Sequence, residues 1–172
     1  MKKNILIIII IFLIFCFSVF FKSLNSPNTY KPSQSIGKKI LTFKAEDLLS
    51  GKIVNSEELF LEDKIYLLNI WSSWCAPCRK EHKFLMKIKN NANVEVIGIN
   101  YKDDSVNAKK FIYNLGNPYK KILKDSDGII SINLGAYGVP ETLVINRNKI
   151  ILNKIVGPID EESFIKIQSL IK

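Results

Sequence analysis

The chemistry-bearing stretch of this chain is Trp74-Cys75-Ala76-Pro77-Cys78. Two residues between the cysteines let both sulfurs meet within one helical turn, so the pair can close to a disulfide and reopen. The stretch follows an apolar run and opens a segment with helical spacing. A helix start carries free N–H groups and partial positive charge, which stabilise a thiolate and lower its pKa. Cys75 is therefore expected to be the partly exposed nucleophile, and Cys78, deeper in the helix, the thiol that resolves the mixed disulfide. Pro77 falls in the first turn, where a missing N–H costs little. A competing use of the sulfurs is zinc, since Cys75, Cys78 and His82 have C-x2-C-x3-H spacing. A structural site needs a fourth ligand, and the only other cysteine, Cys16, lies in the apolar N-terminal run, so no metal is expected. The bland alternative is a pair of inert buried cysteines, which Trp74 and the export context described below argue against.

The helix after the motif adds an acid. Advancing about 100° per residue from Cys78, Leu85, Glu81, Ile88 and Phe84 share one side, while Lys80, Lys83 and Lys87 fall opposite. Glu81 lies in the middle of the apolar stripe, one turn from Cys78. A carboxyl there is desolvated, its pKa rises, and it becomes a candidate to take the Cys78 proton during exchange. The bland alternative is a Glu whose head snorkels to the stripe's edge. His82 lies at the stripe's margin and reads as structural.

These side chains need a frame. Residues 65–70 and 94–99 are continuous apolar runs, which read as strands buried on both faces, the mark of a parallel sheet. Helical spacing covers 76–89 and 105–114, with Ser105 as a candidate N-cap. Pieces at 41–44 and 51–54 suggest a small hairpin. A short strand near 121–123, a brief helix near 128–134, and strands at 141–146 and 150–156 around the polar turn 146–149 follow. Asp160 caps a last helix, with Glu161 and Glu162 in its first turn. The order predicts an α/β domain, a mixed sheet with helices on both faces. Gly138-Val139-Pro140-Glu141-Thr142 stands just before a strand, where a proline marks an entrance or a turn.

The N-terminus predicts location. Met1-Lys2-Lys3-Asn4 precedes the uncharged run 5–21, and Lys22 closes it. No Ala-x-Ala-like pair follows, which favours an uncleaved transmembrane anchor over a cleaved signal. Lys2 and Lys3 stay cytoplasmic by the positive-inside rule, so the remainder is exported. The expected division is an anchor over 1–22, a polar Ser-, Asn- and Pro-containing tether over 23–35, and a domain over 36–172. The hydrophobic share of 47 % excludes a disordered chain, and three cysteines exclude a disulfide-stapled miniprotein. The net charge of +9 comes from 25 basic against 16 acidic residues; Lys supplies 23 of the basic ones, scattered through the chain. No basic stripe interleaves with aromatics, so nucleic acid is not an expected partner.

Several stretches together carry a resemblance. They are Trp71-Ser72-Ser73-Trp74-Cys75-Ala76-Pro77-Cys78-Arg79, Glu81-His82, Gly98-Ile99-Asn100-Tyr101-Lys102-Asp103, Gly116-Asn117-Pro118-Tyr119 and Gly135-Ala136-Tyr137-Gly138-Val139-Pro140-Glu141-Thr142. In this order they resemble the CcmG/DsbE family, membrane-anchored thiol:disulfide interchange proteins of cytochrome c maturation. The resemblance implies a thioredoxin-like fold with an N-terminal extension, preceded by a single transmembrane helix. It also implies a cis peptide at Val139-Pro140 facing the cysteines, and a substrate groove shaped by residues 138–142. Glu81 would tune the thiols and Glu141 would lie near the site, with Trp74, Val139, Pro140 and Glu141 as substrate-binding or tuning residues. Asn69 departs from the buried Asp of general thioredoxins on the strand before the motif. It cannot accept a proton, which shifts acid–base work to Glu81 or Glu141.

The resulting expectation is a protein-disulfide reductase in the periplasm, anchored in the bacterial inner membrane. Its implied partners are apocytochrome c and cytochrome c maturation factors, with a membrane thiol relay as electron donor. No cofactor is needed, because the sulfurs carry the electrons. The alternatives are a disulfide-forming oxidase or isomerase of exported proteins, and a scaffold that holds apocytochrome without redox turnover.

Overall fold

A computed structural model describes residues 2–24 and 35–171. Most of the expected tether lies outside the described residues. The chain divides into two units, 1–31 and 32–172. The first holds helix α1 (Lys2–Leu24), whose window Lys3–Leu24 has a mean hydropathy of 3.1. At about 1.5 Å per residue it runs roughly 34 Å, against about 30 Å of bilayer hydrocarbon. Helix α1 fits a single-pass membrane anchor.

The second unit is built on strand β3 (Ile65–Trp71), buried along nearly its whole length. β3 pairs in parallel with β4 (Val94–Tyr101), and β4 with β5 (Lys121–Asp125). On its other side β3 pairs antiparallel with β6 (Glu141–Ile145), and β6 with β7 (Ile151–Val156), giving the order β5-β4-β3-β6-β7. Helices α2 (Ala76–Ile88) and α3 (Ser105–Leu115) are the parallel crossovers, and α5 (Glu161–Leu170) follows β7. They cover one sheet face, where Leu85, Phe111 and Ile167 meet Leu67, Trp71, Val96 and Val144. Tyr66, Leu68, Ile70, Ile99 and Leu143 point to the opposite face. There they pack under the hairpin β1–β2 (Lys44–Glu46, Ile53–Asn55), the 3-10 turn Ser56–Leu59 and the region of helix α4 (Ile129–Asn133).

Three local expectations shift. The hairpin forms three residues later than expected in its first strand, because the Asp47 carboxylate collects the turn. It accepts from Leu49 N, Ser50 N and Ser50 Oγ at 3.2, 2.7 and 2.8 Å. Gly51, expected in a strand, takes φ +70° in that turn. Asp104 rather than Ser105 caps α3, its Oδ1 accepting from Val106 N and Asn107 N. A bulge between Val144 and Ile145 shifts the pairing of β7, so that Lys154 lies opposite Leu143.

Candidate active site

Strand β3 ends at Trp71, and Ser72 to Trp74 carry the chain to α2. Cys75 is the N-cap, in extended backbone, and its Sγ accepts from Cys78 N at 3.1 Å. Pro77 lies in the first turn, as its missing N–H allows. The two sulfurs are joined at 2.02 Å. Cys78 is 2 % exposed, but Cys75 is only 4 % exposed, more buried than expected. In the closed disulfide its sulfur is bonded to Cys78 and holds the Cys78 N–H, instead of facing water.

The loop before the cysteines is clasped by the end of β4. Asp103 accepts from Ser73 N at 2.5 Å, Ser73 Oγ at 2.6 Å and Asn100 Nδ2 at 2.9 Å. Trp74 donates its indole N–H to Lys102 O at 3.0 Å while 60 % of its surface stays exposed. Lys102 holds φ +42°, an unusual angle for a non-glycine residue, and its carbonyl is the one that meets the indole.

Beneath Cys78, Glu81 is 0 % exposed. Ile159 N donates to its Oε2 at 2.8 Å and Asn69 Nδ2 to its Oε1 at 2.9 Å. Burial nevertheless wins over these two bonds and pushes the carboxyl up to about 7. Asn69 also donates to Thr142 Oγ1 at 3.0 Å, and Tyr119 O–H donates to Asn69 Oδ1 at 2.8 Å. The phenol thus caps the carbonyl end of the amide whose NH2 end meets Glu81. Burial, followed by the Glu81 charge, holds the Tyr119 phenol well above its ordinary value. Tyr119 stacks on Trp71 at 5.5 Å, which requires Gly98: a Cβ there would stand 2.8 Å from Trp71 Nε1 and 3.1 Å from the Tyr119 ring.

His82 is buried, turned to Gly116 O at 3.0 Å and edge-on to Phe111. Burial pushes its pKa down, which suits a neutral structural histidine.

The Val139–Pro140 bond is cis. Pro140 is the last residue before β6, and Val139 packs against the apolar cluster that contains Cys75 and Cys78. Glu141 is buried, but it shares a sheet face with Leu143, opposite to the face of Thr142 and Asn69. Its Oε1 accepts from Tyr137 N at 2.6 Å and Gly138 N at 3.0 Å, and its Oε2 lies 2.8 Å from Lys154 Nζ. Beside this loop is a hollow of about 280 Å³ lined by Tyr101, Ser131, Ile132, Ala136, Tyr137 and Gly138.

The Redoxin family matches residues 35–169. A thiol:disulfide interchange protein DsbE of Tatumella citrea is 35 % identical over 94 % of this chain and 89 % of its own. A DsbE of Pseudomonas fluorescens is 40 % identical over 76 % of this chain and 71 % of its own. The chain belongs to the DsbE family. It is a thiol-disulfide oxidoreductase with a thioredoxin-like fold. The thioredoxin domain of a thiol-disulfide oxidoreductase from Bacteroides vulgatus superposes with a TM-score of 0.68, over 80 % of this chain and 98 % of that one, at 19 % identity.

In this DsbE-family chain one neighbourhood of the sheet and α2 holds Cys75, Cys78, Glu81 and Val139. Glu141 stands at the same end of the strands but across the sheet from Glu81, so the two carboxyls belong to separate hydrogen-bond networks. Sequence reasoning gave no side-chain role to Ser73, Thr142, Tyr119 or Lys154, although the first three lie within the stretches that carry the resemblance. Tyr119 carried a signal, as the end of Gly116-Asn117-Pro118-Tyr119. Ser73 and Asp103 are thirty residues apart, and nothing local in either segment marks their contact.

Proposed function

We propose that this chain is a periplasmic protein-disulfide reductase of cytochrome c biogenesis, anchored in the inner membrane with its domain exported. The reading is carried by a Cys75–Cys78 disulfide at the N-terminus of α2, in a DsbE-family chain that also bears an apolar helix. In the reduced protein the Cys75 thiolate attacks one sulfur of an apocytochrome c disulfide, or of a mixed disulfide on a maturation factor. The bond to the other sulfur breaks and that sulfur leaves as a thiolate. Cys78 loses its proton to Glu81 and attacks Cys75 Sγ. The second substrate sulfur leaves as a thiolate, and the intramolecular disulfide seen here remains. Two electrons pass to the substrate, and each leaving thiolate takes up a proton. A membrane thiol relay would return the two electrons.

The Glu81 geometry supports its role. Its two N–H donors occupy one lone pair on each oxygen and leave others for the proton. A carboxyl near 7 is matched to proton exchange at neutral pH. Exposed Trp74 and the backbone of half-buried Val139, next to buried Pro140 whose carbonyl accepts from Gly157 N, are the surfaces that would be offered to an extended peptide. Selectivity for cytochrome maturation would come from the loops 138–142 and 100–104.

Deleting the gene in its host tests the reading. Loss of covalent haem attachment, partly restored by added small thiols, is expected. Normal c-type cytochromes alongside misfolded secreted disulfide proteins would instead support an oxidase or isomerase. A Cys75→Ser chain that still matured cytochromes would support a scaffold.

A further inference from the structure

Among the described residues Lys154 is the only buried lysine, with a side chain 0 % exposed. The β-bulge explains its inward direction. Strict alternation along β7 would send residues 152, 154 and 156 to one side, away from Ile151. With Leu152 taken up by the bulge, Lys154 joins Ile151 on the face of Glu141 and Leu143. Its Nζ lies 2.8 Å from Glu141 Oε2, donates to Gly135 O at 2.5 Å and stands 5.8 Å from the Tyr137 ring centroid. Glu141 Oε1 in turn accepts the N–H groups of Tyr137 and Gly138. One ammonium and one carboxylate thus tie the segment 135–141 at its start, its middle and its end. A buried ion pair is a poor device for stability, since apolar residues of similar volume commonly do as well. It does specify a shape, because each charge demands its partner at one place.

We propose that Lys154, through Glu141 and the Gly135 carbonyl, is a positioning residue that holds the 135–140 loop in the form that binds a substrate peptide. It sets peptide affinity and leaves the sulfur chemistry alone. The thiols and the Glu81 network lie on the opposite side of the sheet, and the Lys154 charge is balanced by Glu141. The inference rests on the reading of this loop as the peptide-facing surface.

The test compares Lys154→Met, Lys154→Gln and Lys154→Arg with the wild type, as full chains in detergent. Two probes are used: a Cys-x-x-Cys-His peptide, and glutathione disulfide with its thiol form, which is too small to pair along the loop. Exchange is followed in both redox directions. Lys154→Met is expected to raise KM for the peptide about tenfold with kcat held, since a pre-formed binding loop is what is lost. The rate with glutathione should stay within about twofold of wild type, the range a change confined to peptide docking allows. Lys154→Arg restores KM. Lys154→Gln keeps a donor for Gly135 O without the charge; it shows the same direction of change and serves if the Met variant does not fold. A folded Met or Gln variant with unchanged peptide KM overturns the proposal. So does an equal loss with both probes, which would place Lys154 in the thiol chemistry. Wild-type exchange in the oxidising direction alone would sink the reductant reading, while the KM comparison still decides the role of Lys154.

Discussion

Replacing Glu81 by Gln should change how the stability of the oxidised protein depends on pH, and the structure sets the size of the change. The carboxyl stands at about 7 in the fold against an ordinary 4.5. Between these values the folded chain keeps a proton that the unfolded chain has released. Stability therefore falls as pH rises through this window, by about 1.4 kcal/mol per unit and about 3 kcal/mol in all. Glutamine removes the titration. Its single carbonyl accepts from only one of Ile159 N and Asn69 Nδ2, and its NH2 faces the other donor. That mismatch costs about 1–3 kcal/mol at every pH. The Gln variant should thus be less stable than wild type at pH 5, and should equal or exceed it at pH 8. His82 contributes with the opposite sign: its depressed pKa costs stability as pH falls below 6.5. The term is common to both proteins and drops out of the difference. Urea unfolding of the oxidised, detergent-solubilised chain at pH 5, 6, 7 and 8 measures it. Parallel stability curves for the two proteins would refute both the raised carboxyl and the argument from burial.

Other outcomes test the remaining contacts. Alkylation of the reduced protein at mildly acidic pH should label Cys75 before Cys78; the reverse order would overturn the assignment of the nucleophile. Tyr119→Phe leaves Asn69 Oδ1 without its donor, so it should cost about 1–3 kcal/mol and shift the thiol titration; a stability loss with unmoved titration would separate Tyr119 from Glu81. Asp103→Ala removes three hydrogen bonds that hold the motif loop, and should speed amide exchange at Ser73 and Trp74 while β3 stays protected. Carbonate washing should leave the full chain in the membrane fraction, and its release would count against an anchor.

The parts legible in the sequence were those fixed by short periods. The apolar run of β3, the helical stripe through Cys78, Glu81 and Leu85, and the helix start at the cysteines each depend on residues within a turn or two. Their burial follows from the pattern. What escaped depends on partners brought from afar or on a break in the period. The Asp103 clasp joins segments thirty residues apart. Lys154 sits at a position that alternation assigns to the sheet face opposite Ile151, and only the bulge turns it toward Glu141. The resemblance puts Glu141 near the site without saying on which side of the sheet. Its side of the sheet follows from its pairing with Ile70 rather than Asn69, a register that no local feature of β6 announces.

That pairing bears on which changes in length the protein can absorb. Along β3 and β6 neighbouring residues face different sides: Asn69 and Thr142 the side of Glu81, Ile70 and Glu141 the side of Lys154. Removing or adding a single residue inside β6 would exchange the two sides, sending a carboxylate toward the helix-covered core and pulling the threonine hydroxyl away from Asn69. The tip of the hairpin turn after β6 carries less of this burden: Arg147 and Asn148 are exposed, and Asn146 closes the turn with bonds to Asn148 N and Ile150 N, while Lys149 O is held by Ile40 N. Natural or engineered insertions should therefore collect at that turn, where a graft or tag can be carried without disturbing the division of labour between the two faces.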